Sequence, residues 1–225
     1  MRETGPVRER ADGDGDLLDR WTRELHRLAP RVPVPELVAA GRDLLARYAE
    51  PHRAYHDGTH LAEVVSAIVL LAEHAADLPV VLAAAWWHDA VYDVTAPAGR
   101  NEAASAELAE RVLSGWSVDP GRVARVGDLV RMTAGHDPAS GDRDGEVLSD
   151  ADLAVLAAAP ERYARYVAGV RREYAHVPDD AFAAGRAAVL RDLLAHDRLY
   201  RTPLGFARWE DAARANLARE LSTLH

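Results

Sequence analysis

The sequence predicts an all-α bundle, and three observations carry that expectation. Apolar residues at helical spacing, or Ala-rich runs, occur in ten segments; strand-like alternation is not seen; and Pro or Gly stands at most of the joins. The first segment, Asp16–Ala29, sets Leu17, Trp21, Leu25 and Leu28 on one stripe and stops at Pro30. Pro35–Ala49 follows with Leu37, Leu44 and Tyr48 in step. Thr59–Ala76 turns Val64, Val65, Ile68 and Leu71 toward a core. Pro79–Val91 is the most apolar helix, and Pro79 suits a first turn. Asn101–Trp116 begins just after Gly99, and Pro120–Thr133 begins on its own proline. Residues 137–147, Asp-Pro-Ala-Ser-Gly-Asp-Arg-Asp-Gly-Glu-Val, read as the one long polar loop, a lid or substrate loop. Ser149–Ala159, Glu161–Tyr174, Asp179–His196 and Phe206–Leu224 complete the bundle, with Pro160, Pro178 and Pro203 at their joins.

Composition bounds the class. A chain of 225 residues with 48% hydrophobic content can bury a full core as one domain. Residues 1–15 are charged and Gly-rich and are expected to form a disordered tail, leaving 16–225 as a single all-α domain. There is no Cys, which excludes disulfides, zinc–thiolate sites and thiol nucleophiles. The longest apolar run, Leu78–Trp87, is too short to span a bilayer, so a cytoplasmic protein without a membrane partner is expected. A net charge of -9 argues against a nucleic-acid partner held through its phosphates. All 27 basic residues are Arg, a bias that reflects genome composition as much as function.

Three short stretches carry the chemistry. Tyr55-His56-Asp57-Gly58-Thr59-His60 puts two imidazoles near the start of a helix. His88-Asp89 ends the most apolar helix, where an unpaired carboxylate would cost several kcal/mol to bury. Ser149-Asp150-Ala151-Asp152-Leu153 adds two carboxylates. Together they look like a metal site of imidazole and carboxylate, a donor set open to Mn, Fe, Co, Ni, Zn or Mg. Each stretch also has a plain structural reading. His60 alone would be a core or cap residue. Asp89 could accept bonds from Trp indoles or cap the next turn. Ser149 or Asp150 would be a helix N-cap with Asp152 in the first turn. Adjacent helix residues point about 100° apart, so His88 and Asp89 can share an ion only near a helix end or a distortion.

The order of His, then His-Asp, then Asp on helices resembles the HD superfamily of metal-dependent phosphohydrolases, over residues 53–155. The resemblance implies His60, His88, Asp89 and Asp152 as metal ligands, with Asp152 in Ala-Asp-x-Leu matching the last ligand better than Asp150, which becomes a second-shell candidate. Tyr55-His56-x-x-x-His60-x-x-Glu63-Val64 is also similar to the signature of cyclic nucleotide phosphodiesterases, which implies His56 as general acid. A wider pattern is similar to a bacterial group of predicted metal-dependent HD phosphohydrolases. It includes Trp86–Asp93, Asn101-Glu102, Thr133–His136 and Val170–Tyr174, and it extends over nearly the full chain.

The resemblance implies a phosphate ester or anhydride as substrate, a nucleotide or small phosphorylated metabolite, with Asp89 or Asp152 orienting a metal-bound water and His56 serving the leaving oxygen. Binuclear members place two further His between the doublet and the last Asp, whereas only His136 lies there in this chain. One divalent ion per chain is therefore expected, with Asp93, Glu102 or His136 assisting a weaker second one. Arg171 or Arg172 would bind phosphate oxygens or stand in solvent. His136 reads as ligand or helix C-terminal cap, and Glu102 as ligand or first-turn acid behind an Asn101 N-cap. Two alternatives remain: a di-iron oxygenase, and a metal-stabilised nucleotide-binding module without turnover. His26, His52, His74, His176, His196 and His225 have no partner spacing and read as surface or packing residues, and Ala-rich Asp179–His196 could face a second copy in a homodimer.

Overall fold

The structure, a computed structural model, describes the backbone of residues 6–224 and the side chains of residues 15–224. Its described residues form ten α-helices and one 3-10 turn, with no strand among them. In chain order these are α1 (Pro6–Leu28), α2 (Val34–Tyr48), α3 (Gly58–Leu70), α4 (Leu78–Trp87), α5 (Arg100–Gly115), α6 (Pro120–Met132) and α7 (Arg143–Asp152). The 3-10 turn Leu153–Ala157 follows, then α8 (Pro160–Glu173), α9 (Asp179–Ala195) and α10 (Pro203–Leu221). No helix among the described residues is long and apolar enough to cross a membrane.

Helix α4 is the hub. Every residue from Val80 to Trp87 is buried, as a helix without a polar face must be, and α1, α3, α5, α6 and α7 pack around it. Trp21 of α1 sets its ring edge-on against Trp86 and Trp87, with centroids 5.4 and 5.0 Å away. The Trp86 indole donates to Glu24 Oε2 at 2.9 Å, so this indole takes its acceptor from α1 and not from Asp89. A second cluster gathers Tyr55, Tyr163, Tyr166, Leu190, Tyr200 and Leu217 from α8, α9, α10 and the segments before α3 and α10. Inside it Glu220 takes a bidentate bond from Arg186 at 2.7 and 3.0 Å and the hydroxyl of Tyr163. Tyr55 of this cluster sets its ring 4.6 Å from Tyr166 and 4.8 Å from His60, and Trp209 packs against both clusters.

Local chemistry sets most boundaries. Asp57, Asp119 and Thr202 accept first-turn N–H groups of α3, α6 and α10, and Pro stands in the first turn of α2, α4, α6, α8 and α10. Helix α1 begins at Pro6, inside the stretch expected to be a tail; residues 1–5 of that stretch lie outside the described residues. The buried Leu17, Trp21 and Leu25 anchor this helix, and each residue added to a nucleated helix gains a hydrogen bond.

The larger correction concerns the polar loop. It spans only the residues up to Asp142, which caps α7 by accepting the Gly145 N–H at 3.0 Å. The helix expected over Ser149–Ala159 is instead α7 ending at Asp152, with the 3-10 turn after it. Neither Ser149 nor Asp150 is an N-cap, because both lie in the last turns of a helix. Asp144, read as loop, is buried and accepts the N–H groups of Ala76 and Asp77 at 2.7 and 2.9 Å, which ties α7 to the start of α4.

Candidate metal centre

Three helix segments bring the candidate ligands together. His60 lies in the first turn of α3, held by the Asp57 cap, which accepts the His60 N–H at 3.3 Å. His88 and Asp89 follow the last residue of α4, where the chain tightens and Ala90 N–H bonds back to Trp87 O at 3.0 Å. That helix end lets neighbouring side chains turn to one place. The Tyr48 hydroxyl donates to Trp86 O at 3.2 Å and accepts the Asp89 N–H at 3.3 Å, fixing the turn. Asp152 closes α7.

The distances among their donor atoms are those of ligands around one ion. His60 Nε2 lies 3.2 Å from His88 Nε2, 3.0 Å from Asp152 Oδ1 and 3.6 Å from Asp89 Oδ2. His88 Nε2 lies 3.1 Å from Asp89 Oδ2 and 3.6 Å from Asp152 Oδ1. Ligands at about 2.1 Å from a shared ion stand about 3.0 Å apart at right angles and about 3.4 Å apart at tetrahedral angles. The buried His60 and His88 with the half-buried Asp152 could thus hold a metal ion, and Asp89 Oδ2 lies within 3.6 Å of both imidazoles. His88 Nδ1 donates to Ala85 O at 2.7 Å, which leaves its Nε2 lone pair facing the cluster, the tautomer a metal ligand needs.

Electrostatics favour positive charge at this point. Burial alone raises the pKa of Asp89 and Asp152, but the surrounding imidazoles, His88 foremost, reverse this and hold both carboxyls below the usual range. The His88 imidazole shows the counterpart: burial lowers it, and Asp89, Tyr48 and Asp152 together carry it well above the ordinary value. Two carboxylates in a desolvated cluster need positive charge beside them, which the imidazoles supply here and a bound ion could supply in their place.

His56 stands beside the cluster without joining it, its ring centroid 5.7 Å from that of His60. Its Nδ1 lies 2.7 Å from Glu173 Oε2. Glu173 is buried at the end of α8; its Oε1 accepts the N–H groups of Ala54, Tyr55 and His56 at 2.7, 2.7 and 3.0 Å, and its Oε2 accepts the Tyr92 hydroxyl at 2.8 Å. Burial pushes the Glu173 carboxyl up, but these donors, the His56 imidazole first, hold it down at about 2. His56 is lowered by burial and raised by Asp89, Glu173 and Asp152, and its net shift is upward. Glu173 is the residue that sequence reasoning missed. A signal existed, since Tyr163, Tyr166, Gly169 and Glu173 form one buried stripe of α8 with a carboxylate at its end.

Two further groups position the site. The Arg53 guanidinium is fully buried and donates to His56 O at 3.0 Å and Asp89 O at 2.8 Å, which ties the two segments together. Gly169 lets α8 approach: a Cβ there would stand 2.8 Å from Ala54 O and 2.9 Å from Tyr55 Cβ.

The remaining candidates fall into place differently. His136 takes a left-handed backbone (φ 50°) after α6, and its Nε2 lies 3.5 Å from Asp152 Oδ2 while its Nδ1 is buried without a hydrogen-bond partner. It is at once the end of a helix and a neighbour of the cluster. Asp150 is not beside the ion site: its Oδ1 accepts Arg201 N–H at 2.7 Å and its Oδ2 accepts Thr202 N–H and Oγ1–H at 2.8 and 2.7 Å, holding the entry to α10. Arg171 is a C-terminal clamp of α8, donating to Tyr174 O and Val177 O at 2.7 and 3.1 Å and pairing with Asp179, so it has no phosphate-binding geometry. Asp93 stays exposed in a turn, accepting Thr95 N–H and Oγ1–H at 2.8 and 2.7 Å. Glu102 lies in the first turn of α5, whose N-cap is Gly99 at φ 75° and not Asn101; Asn101 instead pairs with the Asp93 backbone.

No family model, curated protein or solved structure matches the chain.

Proposed function

We propose that this protein is a metal-dependent phosphohydrolase acting on a phosphate ester or anhydride of a nucleotide or small metabolite. The observation that carries this reading is the pairing of a four-residue donor cluster with an imidazole beside it that does not belong to it. His60, His88, Asp89 and Asp152 would hold one divalent ion. Such an ion, when bound, polarises a phosphoryl oxygen and lowers the pKa of its water toward neutrality. A metal site that served folding alone would not need His56. That imidazole has one nitrogen engaged by Glu173, which leaves Nε2 to carry a proton, and the Glu173 carboxylate favours the protonated ring. Its role is to deliver that proton to the leaving oxygen. Glu173 sets the ring's tautomer and stabilises its charge, and Tyr92, 4.4 Å from the ring, walls it. Asp89 or Asp152 would orient a nucleophilic water.

The test pairs elemental analysis of chelator-free protein with phosphate release from a set of nucleotides in Mn, Mg, Co or Fe, for the wild type and His56→Ala. About one transition metal per chain, metal-dependent release, and loss of release with metal retained in His56→Ala are the expected results. Two irons without phosphate release would replace the reading with an oxygenase. Metal in both proteins and turnover in neither would replace it with a binding module.

A further inference from the structure

Beside the metal centre a cavity of about 570 Å³ opens between the turn after α6, helix α9 and the segment 198–201. It shares His136 with the centre and reaches Leu153, the chain neighbour of Asp152. Leu153, Val189 and Leu193 give it an apolar wall, and Arg198 and Arg201 give it positive charge. The volume lies within the range of roughly 300–1,000 Å³ that small-molecule sites occupy.

The two arginines have different surroundings. Arg198 makes no ion pair among the described residues, and its guanidinium lies 4.3 Å over the ring of Phe206. Arg201 has its backbone fixed by the buried Asp150, which shares α7 with the candidate ligand Asp152, so a rigid element sets its position relative to the centre. Its guanidinium meets only the 78% exposed Asp137 at 3.3 Å, a surface pair that a ligand anion can displace at little cost. Among the described lining residues Asp192 is the one carboxylate, and its side chain is 82% exposed. On a protein of net charge -9, this is a local reversal of sign next to an apolar wall. Such a combination selects an anion attached to an apolar body.

We propose that this cavity receives the part of the substrate beyond the scissile phosphate, and that Arg198 and Arg201 select esters carrying a second phosphate on a nucleoside-sized body. The proposal rests on the phosphohydrolase reading above and narrows its substrate class.

Calorimetric titration of the Mn-loaded protein with adenosine 5′-monophosphate and adenosine 3′,5′-bisphosphate tests it. The bisphosphate is expected to bind about tenfold more tightly to the wild type, the step that one charge-assisted contact supports. That preference should shrink in Arg198→Ala and in Arg201→Ala and vanish in the double variant, with metal content and thermal midpoint unchanged. Equal affinity for the two probes in the wild type, or a preference that survives in the double variant, overturns the proposal. A preference that obeys the arginines without phosphate release from any ester leaves the cavity assignment standing and removes the hydrolase reading. Phosphate release without the preference does the reverse.

Discussion

Glu173 holds His56 from a distance of 117 residues in sequence: one carboxylate oxygen meets the imidazole Nδ1 at 2.7 Å while the other gathers three consecutive backbone N–H groups. The same side chain thus shapes the segment before α3 and fixes the ring of the candidate acid. Replacing it by Gln turns a donor toward donors already present. We expect Glu173→Gln to lower phosphate release on the order of 10²-fold with metal content retained. A pH profile adds a readout specific to the pairing. The His56 pKa is raised in the folded protein, so its contribution to stability is full below about 6.5 and is lost as pH rises through the folded value. In Glu173→Gln that loss should occur at lower pH, as denaturant midpoints across neutral pH would reveal. An unchanged profile would separate Glu173 from His56 ionisation.

Arg53 is the clamp between the segment of His56 and that of Asp89, with its guanidinium 5.1 and 5.3 Å from the rings of Tyr48 and Tyr92. Arg53→Ala leaves buried carbonyls without donors and is expected to cost about 3–5 kcal/mol. Arg53→Lys should recover little of this, because one ammonium cannot reproduce a planar fork. Urea denaturation of both variants checks the order. Stability of the Lys variant equal to the wild type would show that charge, not the fork, is what matters.

At Gly169 the closeness of α8 to Ala54 and Tyr55 leaves no room for a methyl group. Gly169→Ala is therefore expected to lose about 1–3 kcal/mol by overpacking despite alanine's better helix propensity. Phosphate release should fall with it while metal is retained, since the displaced helix carries Glu173 and none of the four candidate ligands. Metal loss in this variant would mean that the two layers of the site are not separable.

Asp150 carries a pH signature of its own. Burial raises its carboxyl, hydrogen bonds from Arg201 and Thr202 offset part of the shift, and the result is about 6. Because the folded value exceeds the unfolded one, this group's contribution to stability is full below about pH 4 and is lost as pH rises through about 6. Between pH 5 and pH 7 the loss amounts to roughly 1 kcal/mol. Asp150→Asn removes a titrating group, so denaturant midpoints should differ from wild type by an amount that changes over this interval. A constant difference would place the titration elsewhere.

Much of the fold was legible in the sequence because helical periodicity and proline punctuation are local signals, and nine of the expected helical segments coincide with helices to within a turn or so at most ends. The failure at α7 has a tertiary cause. Asp142-Arg143-Asp144-Gly145 reads as loop by propensity, yet Asp144 is held by the Ala76 and Asp77 amides, and Val147 and Leu148 are buried against the core. Within the candidate site, His56, His60, His88, Asp89 and Asp152 lie in short motifs whose spacing is visible in one sequence. Arg53 and Glu173 act through long-range hydrogen bonds that spacing does not report, although the α8 stripe of Tyr163, Tyr166, Gly169 and Glu173 marks the carboxylate as inward-facing. Arg171 misled for a related reason: its charge is visible in sequence, whereas the carbonyls of Tyr174 and Val177 that occupy it are visible only in three dimensions.

The two apolar clusters carry different parts of the candidate site. The candidate ligands sit at the ends of α3, α4 and α7, whereas the carboxylate partner of His56 comes from α8 and much of the cavity wall from α9 and the residues leading into α10. Under the proposed function, substitutions in the second group would retune acidity and substrate preference without touching the candidate ligands. A scaffold arranged in this way is well suited to laboratory evolution, with diversity directed to the C-terminal helices and the ligand-bearing helices held constant.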